Sequence, residues 1–401
     1  MIDESKSVNT ETVLLDVESR IAVEEYVIDS SSLAVGGGAE WSVKKTTLRG
    51  GTQDGVDLIE IDNGQLSFVV LPTRGMGIYK GSSEGVRLGW DSPVKDPVHP
   101  SLVNLQERGG LGWLGGFNEW IVRCGLSSIG APGTDVMVDN NGNPAEELLT
   151  LHGKIANTPA RKVSIEITGD EIILRGEVDE TMLFGPALRL NTEIRTAFGS
   201  GSLEIRDTVT NIGANATEHQ LLYHVNYGQP LLEKGARFSC PIKVMAPRDA
   251  RAAEGVESFD QYEGPETGFV EQAYFFELAA DADTHETAVM LQNASGDTAS
   301  VLRYNRDDFP CFTLWKNTAA IEDGYVTGLE PSTAFPNLRS FERGKGRVIN
   351  LEGGQSRTTS LKVEVLTGKA AVQSVESEIA QLQGNVEAKL HAQPIEQFTN
   401  I

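Results

Sequence analysis

From Arg161 to Val209 the sequence alternates between apolar and polar residues with a period of two, and this regularity limits the fold more tightly than any other. Val163, Ile165 and Ile167 lie on one side, a Gly169-Asp170 turn follows, and Ile172 and Leu174 resume the pattern. Leu188, Leu190, Thr192, Ile194, Thr196 and Phe198 then face one way, while Arg189, Asn191, Glu193 and Arg195 face the other. A Gly-Ser turn at 199–202 returns the chain into Leu203, Ile205, Asp207 and Val209. Successive side chains of a strand point to opposite faces, so the pattern describes long antiparallel strands with one dry and one wet side.

The same punctuation runs along most of the chain. Asp62-Asn63-Gly64 reads as a hairpin turn between the runs Leu58 to Ile61 and Leu66 to Leu71. Further strands are expected around 220–228, 270–278, 288–292, 299–304, 311–315 and 357–366. Between Gly368 and Leu390 the period changes, and Val372, Val375, Ile379 and Leu382 stand at helical spacing. This predicts an all-β body, a sandwich of long antiparallel sheets, followed by a short amphipathic helix that packs on the body or on a second subunit. The expected divisions are an N-terminal surface arm (1–35), the β-sandwich (36–368) and a helical tail (369–401). A homodimer is one way to cover that helix.

Composition excludes several partners. Lys and Arg number 34 against 57 acidic residues, a formal charge of −23, so the long-range field repels nucleic acid and anionic membranes. Cys124, Cys240 and Cys311 are few, scattered and odd in number, without CxxC or Cys/His spacing, which argues against a disulfide framework and a structural zinc site. No run of about 18 apolar residues is present to span a membrane. The apolar run Val13 to Leu15 is too short for a signal-peptide core, so a cytoplasmic protein is expected.

Candidate chemistry gathers in three places. In Gly324 to Asn337, GYVTGLEPSTAFPN, an apolar approach delivers one carboxylate, Glu330, directly before Pro331. Proline pushes the preceding residue into an extended conformation, so Glu330 is expected to end a strand at a sheet rim, as a working carboxylate or as a solvated strand end. In Gln220 to Gly228, Leu221, Tyr223, Val225 and Tyr227 share one face. His224 and Asn226 therefore stand side by side on the other, as a catalytic pair or as satisfied polar groups of a half-buried sheet. His152 lies in Leu151-His152-Gly153. The loop Gly109 to Trp120 formally matches GxGxxG, but no helix pattern follows, and its glycines and aromatics suit sugar rings or core packing rather than a dinucleotide. Asp139 to Pro144 lacks the glycine placement of a calcium loop and reads as a turn.

In order and context these pieces resemble the aldose 1-epimerase (galactose mutarotase-like) superfamily. LPTRGMGI, GGLGWLGGFNEWIVRCGL, LTLHGKI, FPCFTLWKN and GLEPSTAFPN are similar to a bacterial, DUF4432-like branch of it over roughly residues 55–366. The resemblance implies a large β-supersandwich with a sugar cleft on one sheet. It also implies Glu330 as general base and His224 as general acid in interconverting sugar anomers. His152, Arg123, Arg74 and Asn226 would hold the sugar, with Trp113, Trp120 or Trp315 against its C–H face. Glu271 and Gln272 stand where the family keeps a binding aspartate. No metal or organic cofactor is implied. Other readings are a lyase or isomerase on a modified sugar, a non-catalytic sugar-binding protein, and a glycosidase pairing Glu119 with Glu330.

Overall fold

A computed structural model describes residues 9–400, and the statements that follow refer to those residues. The frame is two large sheets, of ten and fourteen strands, beside a separate two-stranded hairpin. The alternating segment forms strands Lys162–Ile167, Glu171–Thr181, Ala187–Ala197 and Ser202–Asn211, consecutive antiparallel neighbours in the ten-stranded sheet. Their dry face packs against the fourteen-stranded sheet, bringing Ile165, Leu174, Leu190, Ile194 and Ile205 into one cluster with Val43, Ile61, Phe68, Ile78, Val225 and Leu329. Each fully buried Leu or Ile contributes about 1.5–3 kcal/mol relative to exposure, so the inter-sheet layer is the principal source of stability. The Asp62-Asn63-Gly64 turn joins strands Asp57–Asp62 and Leu66–Leu71, which pair antiparallel.

Both ends of the described part are built into this frame. Thr10–Asp16 pairs antiparallel with Lys162–Ile167 and buries Leu14, while Tyr26–Asp29 pairs with Ser42–Thr47 in the other sheet. The expected surface arm thus supplies a strand to each sheet, because its short apolar runs are enough to extend an open edge; residues 1–8 lie outside the described part. The helix α1, Lys369–Gln383, sets Val372, Val375 and Ile379 on Ala288, Met290, Ala299 and Val301, covering the outer face of the ten-stranded sheet. Of the two places expected for it, the helix takes the body. The chain then pairs Lys389–Leu390 with Ile242–Pro247 and packs Phe398 on Phe335, ring centroids 4.7 Å apart.

Five strands of the fourteen-stranded sheet carry the candidate site: β1 (Ile121–Leu126), β2 (Thr217–Tyr227), β3 (Gln272–Leu278), β4 (Cys311–Asn317) and β5 (Val326–Ser332). Their spatial order is β3-β4-β5-β2-β1. One face of this group lies in the inter-sheet core, and the other is covered by the Gly- and Trp-rich loops.

Arg123 pairs with Tyr223 across β1 and β2, so it shares the core face and not the face of His224. Its Nε donates to Asp207 Oδ2 at 2.5 Å, its NH2 to Thr192 Oγ1 at 2.7 Å and its NH1 to the Met76 carbonyl at 2.8 Å. The Tyr223 hydroxyl completes the cluster on Asp207 at 2.7 Å. The expectation that Arg123 touches sugar is therefore corrected: it is an ion-paired bridge between the sheets. Truncating one member of a buried ion pair strands the other's charge and typically costs about 3–5 kcal/mol. Arg123→Met is expected to lose stability of about that size in urea unfolding. An unchanged midpoint with a raised KM would instead return Arg123 to the substrate.

Candidate active site

The register of β5 against β2 pairs Leu222 with Ser332 and Val225 with Leu329. Counting inward from either pair sets His224 directly opposite Glu330, with both side chains on the face turned away from the core. His224 Nε2 lies 3.1 Å from Glu330 Oε1. Glu330 does not end its strand, which runs through Pro331 to Ser332 between β4 and β2. Proline has no N–H to give to a ladder, and the β5–β2 pairing accordingly lapses at Glu330 and Pro331 before resuming at Ser332.

Next along the sheet, Trp315 pairs with Gly328, and Gly328 with Asn226. A Cβ at Gly328 would stand 2.8 Å from both Glu330 Oε1 and His224 Cε1, so glycine is what lets the two groups meet over this strand. Thr313 pairs with Glu330 from the β4 side, and its buried hydroxyl has no partner.

His152 reaches the site from the LHG turn in a left-handed conformation, φ 58°, an uncommon state for a residue with a side chain. The turn is held by Gly125 N to His152 O at 3.1 Å and His152 N to Gly130 O at 3.0 Å. Gly153, φ 71°, packs so closely that a Cβ would stand 2.2 Å from the Ser128 carbonyl. His152 Nδ1 lies 2.8 Å from the Ile129 carbonyl, which only accepts, so Nδ1 carries the proton and Nε2 is left as an acceptor. The His152 and His224 rings are 5.6 Å apart.

Aromatic rings enclose the group. Phe117 lies edge-on to His224 at 5.0 Å, Trp315 does the same at 5.3 Å, and Trp113 packs on His152 at 4.6 Å. Trp113 is buried and its indole N–H has no partner. Glu330 is 2% and His224 4% exposed. Burial pushes the Glu330 carboxyl well above the usual carboxylate range, with the charge of Glu271 adding to the rise and Arg248 opposing it. Burial likewise pushes the His224 imidazole well below its ordinary range, with His152 adding and the hydrogen bond to Asn226 opposing. Burial takes His152 down to about 4, against the Ile129 hydrogen bond and the charge of Glu271.

At the rim, Glu271 accepts from Trp315 Nε1 at 2.7 Å and from Arg248 NH2 at 2.9 Å. Arg248 also meets Asp249 at 2.9 Å. Arg248 follows strand Ile242–Pro247 directly, and no motif in the sequence singles it out. The structure thus brings Glu330, His224, His152, Trp113, Trp315 and Glu271 together, with Asn226 behind them. It does not bring Arg74, Gln272 or Trp120. Arg74 is buried and spent on Glu119 Oε1 (2.7 Å), the carbonyls of Val98 and Gly116, and Asn157. It braces the loop that carries Phe117. Glu119 is the other half of that brace, which removes it as a free glycosidase partner. Gln272 pairs with Lys316 on the core face and donates to the Arg251 carbonyl, and Trp120 packs in the inter-sheet core.

Among the described residues, no three His, Cys, Asp or Glu side chains are grouped to hold a metal ion, and no helix is long and apolar enough to cross a membrane. A surface groove of about 750 Å³ lies elsewhere, lined by Met182, Phe184 and Arg339, and contains none of the site residues.

Comparison with known proteins places the fold. The putative aldose 1-epimerase of Klebsiella pneumoniae is 36% identical to this chain, covers 97% of it with 99% of its own length, and superposes with a TM-score of 0.91. A galactose mutarotase-like protein of Clostridium acetobutylicum shares the fold at 14% identity, with a TM-score of 0.56 over 86% of this chain and 99% of its own. No curated protein sequence matches. The family model described as a domain of unknown function, DUF4432, matches residues 53–365. The chain belongs to the DUF4432 family, and its β-sandwich has the galactose mutarotase-like fold.

Proposed function

We propose that the protein is an aldose 1-epimerase-type isomerase, with Glu330 as general base and His224 as general acid. The observation that carries this reading is the 3.1 Å approach of His224 Nε2 to Glu330 Oε1 inside an aromatic enclosure. Interconverting anomers requires a base to take the O1 proton and an acid to protonate O5. In this scheme Glu330 takes the O1 proton as imidazolium His224 gives its own to O5, and the C1–O5 bond opens to the aldehyde. Rotation about C1–C2 presents the other face of the carbonyl, and the two transfers reverse as the ring closes. Each turnover returns the pair to its starting protonation. After opening, the pair is a neutral imidazole and a neutral carboxylic acid, the charge state that burial favours.

The surroundings support a neutral sugar as substrate. Trp113, Trp315 and Phe117 offer flat faces to C–H groups, His152 Nε2 offers an acceptor to a hydroxyl, and the unpaired Trp113 N–H offers a donor. The similarity to the Klebsiella protein named as a putative aldose 1-epimerase points the same way.

Polarimetry on freshly dissolved α-aldoses tests the reading. Glu330→Gln and His224→Ala should each lower kcat by roughly 10²–10⁴-fold, with KM changing far less. The double variant should be little worse than the poorer single one, since the two act as a unit. Wild type that speeds the relaxation of no aldose would sink the proposal. Gly328→Ala, which intrudes on both groups, should lower kcat by roughly 10²-fold while leaving the unfolding temperature nearly unchanged. For His152, an NMR titration should give a midpoint of about 4, so the ring is neutral at pH 7 and protonates only as pH falls through that value. A midpoint near the ordinary 6.5 would mean the turn is solvated and does not line an enclosed site.

A further inference from the structure

We infer that Asn226 is a positioning residue: it fixes the tautomer of His224, so that His224 and Glu330 hold one proton between Nε2 and Oε1. Asn226 was expected to bind sugar, but it is fully buried and both ends of its amide are engaged. Its Nδ2 donates to the Glu119 carbonyl at 3.0 Å and to the His224 carbonyl at 3.1 Å. Both carbonyls only accept, so turning the amide over would set its oxygen against two oxygens. The orientation is therefore fixed, and Oδ1 faces His224 Nδ1 at 2.6 Å. An amide oxygen accepts, so Nδ1 must carry the hydrogen.

The consequence falls on the other nitrogen. With Nδ1 protonated, a neutral His224 presents a bare lone pair at Nε2, 3.1 Å from Glu330 Oε1. Two bare acceptors at that distance in a buried site repel, so a proton lies between them, either as the Glu330 acid or as the His224 imidazolium. The other titratable or charged groups turned toward the pair are His152, Cys124, Glu271 and Arg248. His152 is neutral at pH 7, burial keeps the Cys124 thiol protonated, and Glu271 and Arg248 are bound to each other. None of them supplies that proton.

This makes the imidazole a usable acid, and here the inference rests on the proposed function. Were Nδ1 bare, an Nε2–H would belong to a neutral ring, and giving it up would leave an imidazolate far too basic to form at pH 7. Because Asn226 keeps the hydrogen on Nδ1, Nε2–H exists only on the imidazolium, which leaves a neutral ring when it protonates O5.

Long-range ¹H–¹⁵N correlation spectra of the sugar-free wild-type protein at pH 7 read the tautomer directly. His224 is expected to show a protonated Nδ1; an unprotonated Nδ1 overturns the inference. Asn226→Leu removes the acceptor oxygen, and should therefore lose about 10²-fold in kcat with little change in KM and release the Nδ1 proton. Equal activity in Asn226→Leu and wild type also overturns it. If wild type epimerises no aldose, the proposed function falls while the spectra still decide the tautomer.

Discussion

Glu330 and His224 meet because two neighbouring strands are locked in register by what lies on their opposite face. A slip of one residue in β2 would turn Leu221, Tyr223, Val225 and Tyr227 out of the inter-sheet core and send His224 into it. The cost of exposing that row far exceeds anything the polar face could repay. Tyr223 adds a polar fastening, since its hydroxyl joins Asp207 and Arg123, and Asp207 belongs to the opposite sheet. The position of Glu330 and His224 is thus a by-product of packing on the side of the sheet they do not occupy. The geometry of one face inherits its precision from the core on the other.

The enclosure is built differently, from loops rather than from strands. Arg74 donates from all three of its nitrogens to Glu119, the Val98 and Gly116 carbonyls and Asn157, and so holds the turn that sets Phe117 over His224. Gly116 sits so near that guanidinium that a Cβ would stand 2.9 Å from it. Desolvation then does the electrostatic work, because moving a carboxyl and an imidazole out of water drives both toward their neutral forms. Those are the forms that the proposed ring-opened state requires. The tail secures the segment after Glu330: Asn337 donates to the Phe398 carbonyl at 2.8 Å and Arg347 to the Gln397 carbonyl at 2.9 Å.

Much of this was legible in the sequence, for a physical reason. Periodicity is a local property: period two fixed the strands and their faces, and period 3.6 fixed α1. The parity of the run 220–228 placed His224 and Asn226 on one face without any knowledge of the partner strand. The same parity rule applied to Ile121–Leu126 assigns Arg123 to the face opposite Val122 and Cys124. The family resemblance implied Arg123 as a sugar ligand, and parity alone does not say which face of this wholly buried strand meets the other sheet.

What the residues determined by themselves, then, was the facing of the long strands, the helix near the chain's end and the presence of a glutamate before proline. Tertiary structure alone decided which residues stand beside that glutamate. Arg248 arrives next to Glu271 only because strands 242–247 and 272–278 pair, and Thr313 and Gly328 flank the carboxyl only through cross-strand register. Neither term of such a pairing carries a mark in sequence, because a hydrogen-bonded ladder is made of backbone atoms that every residue but proline shares.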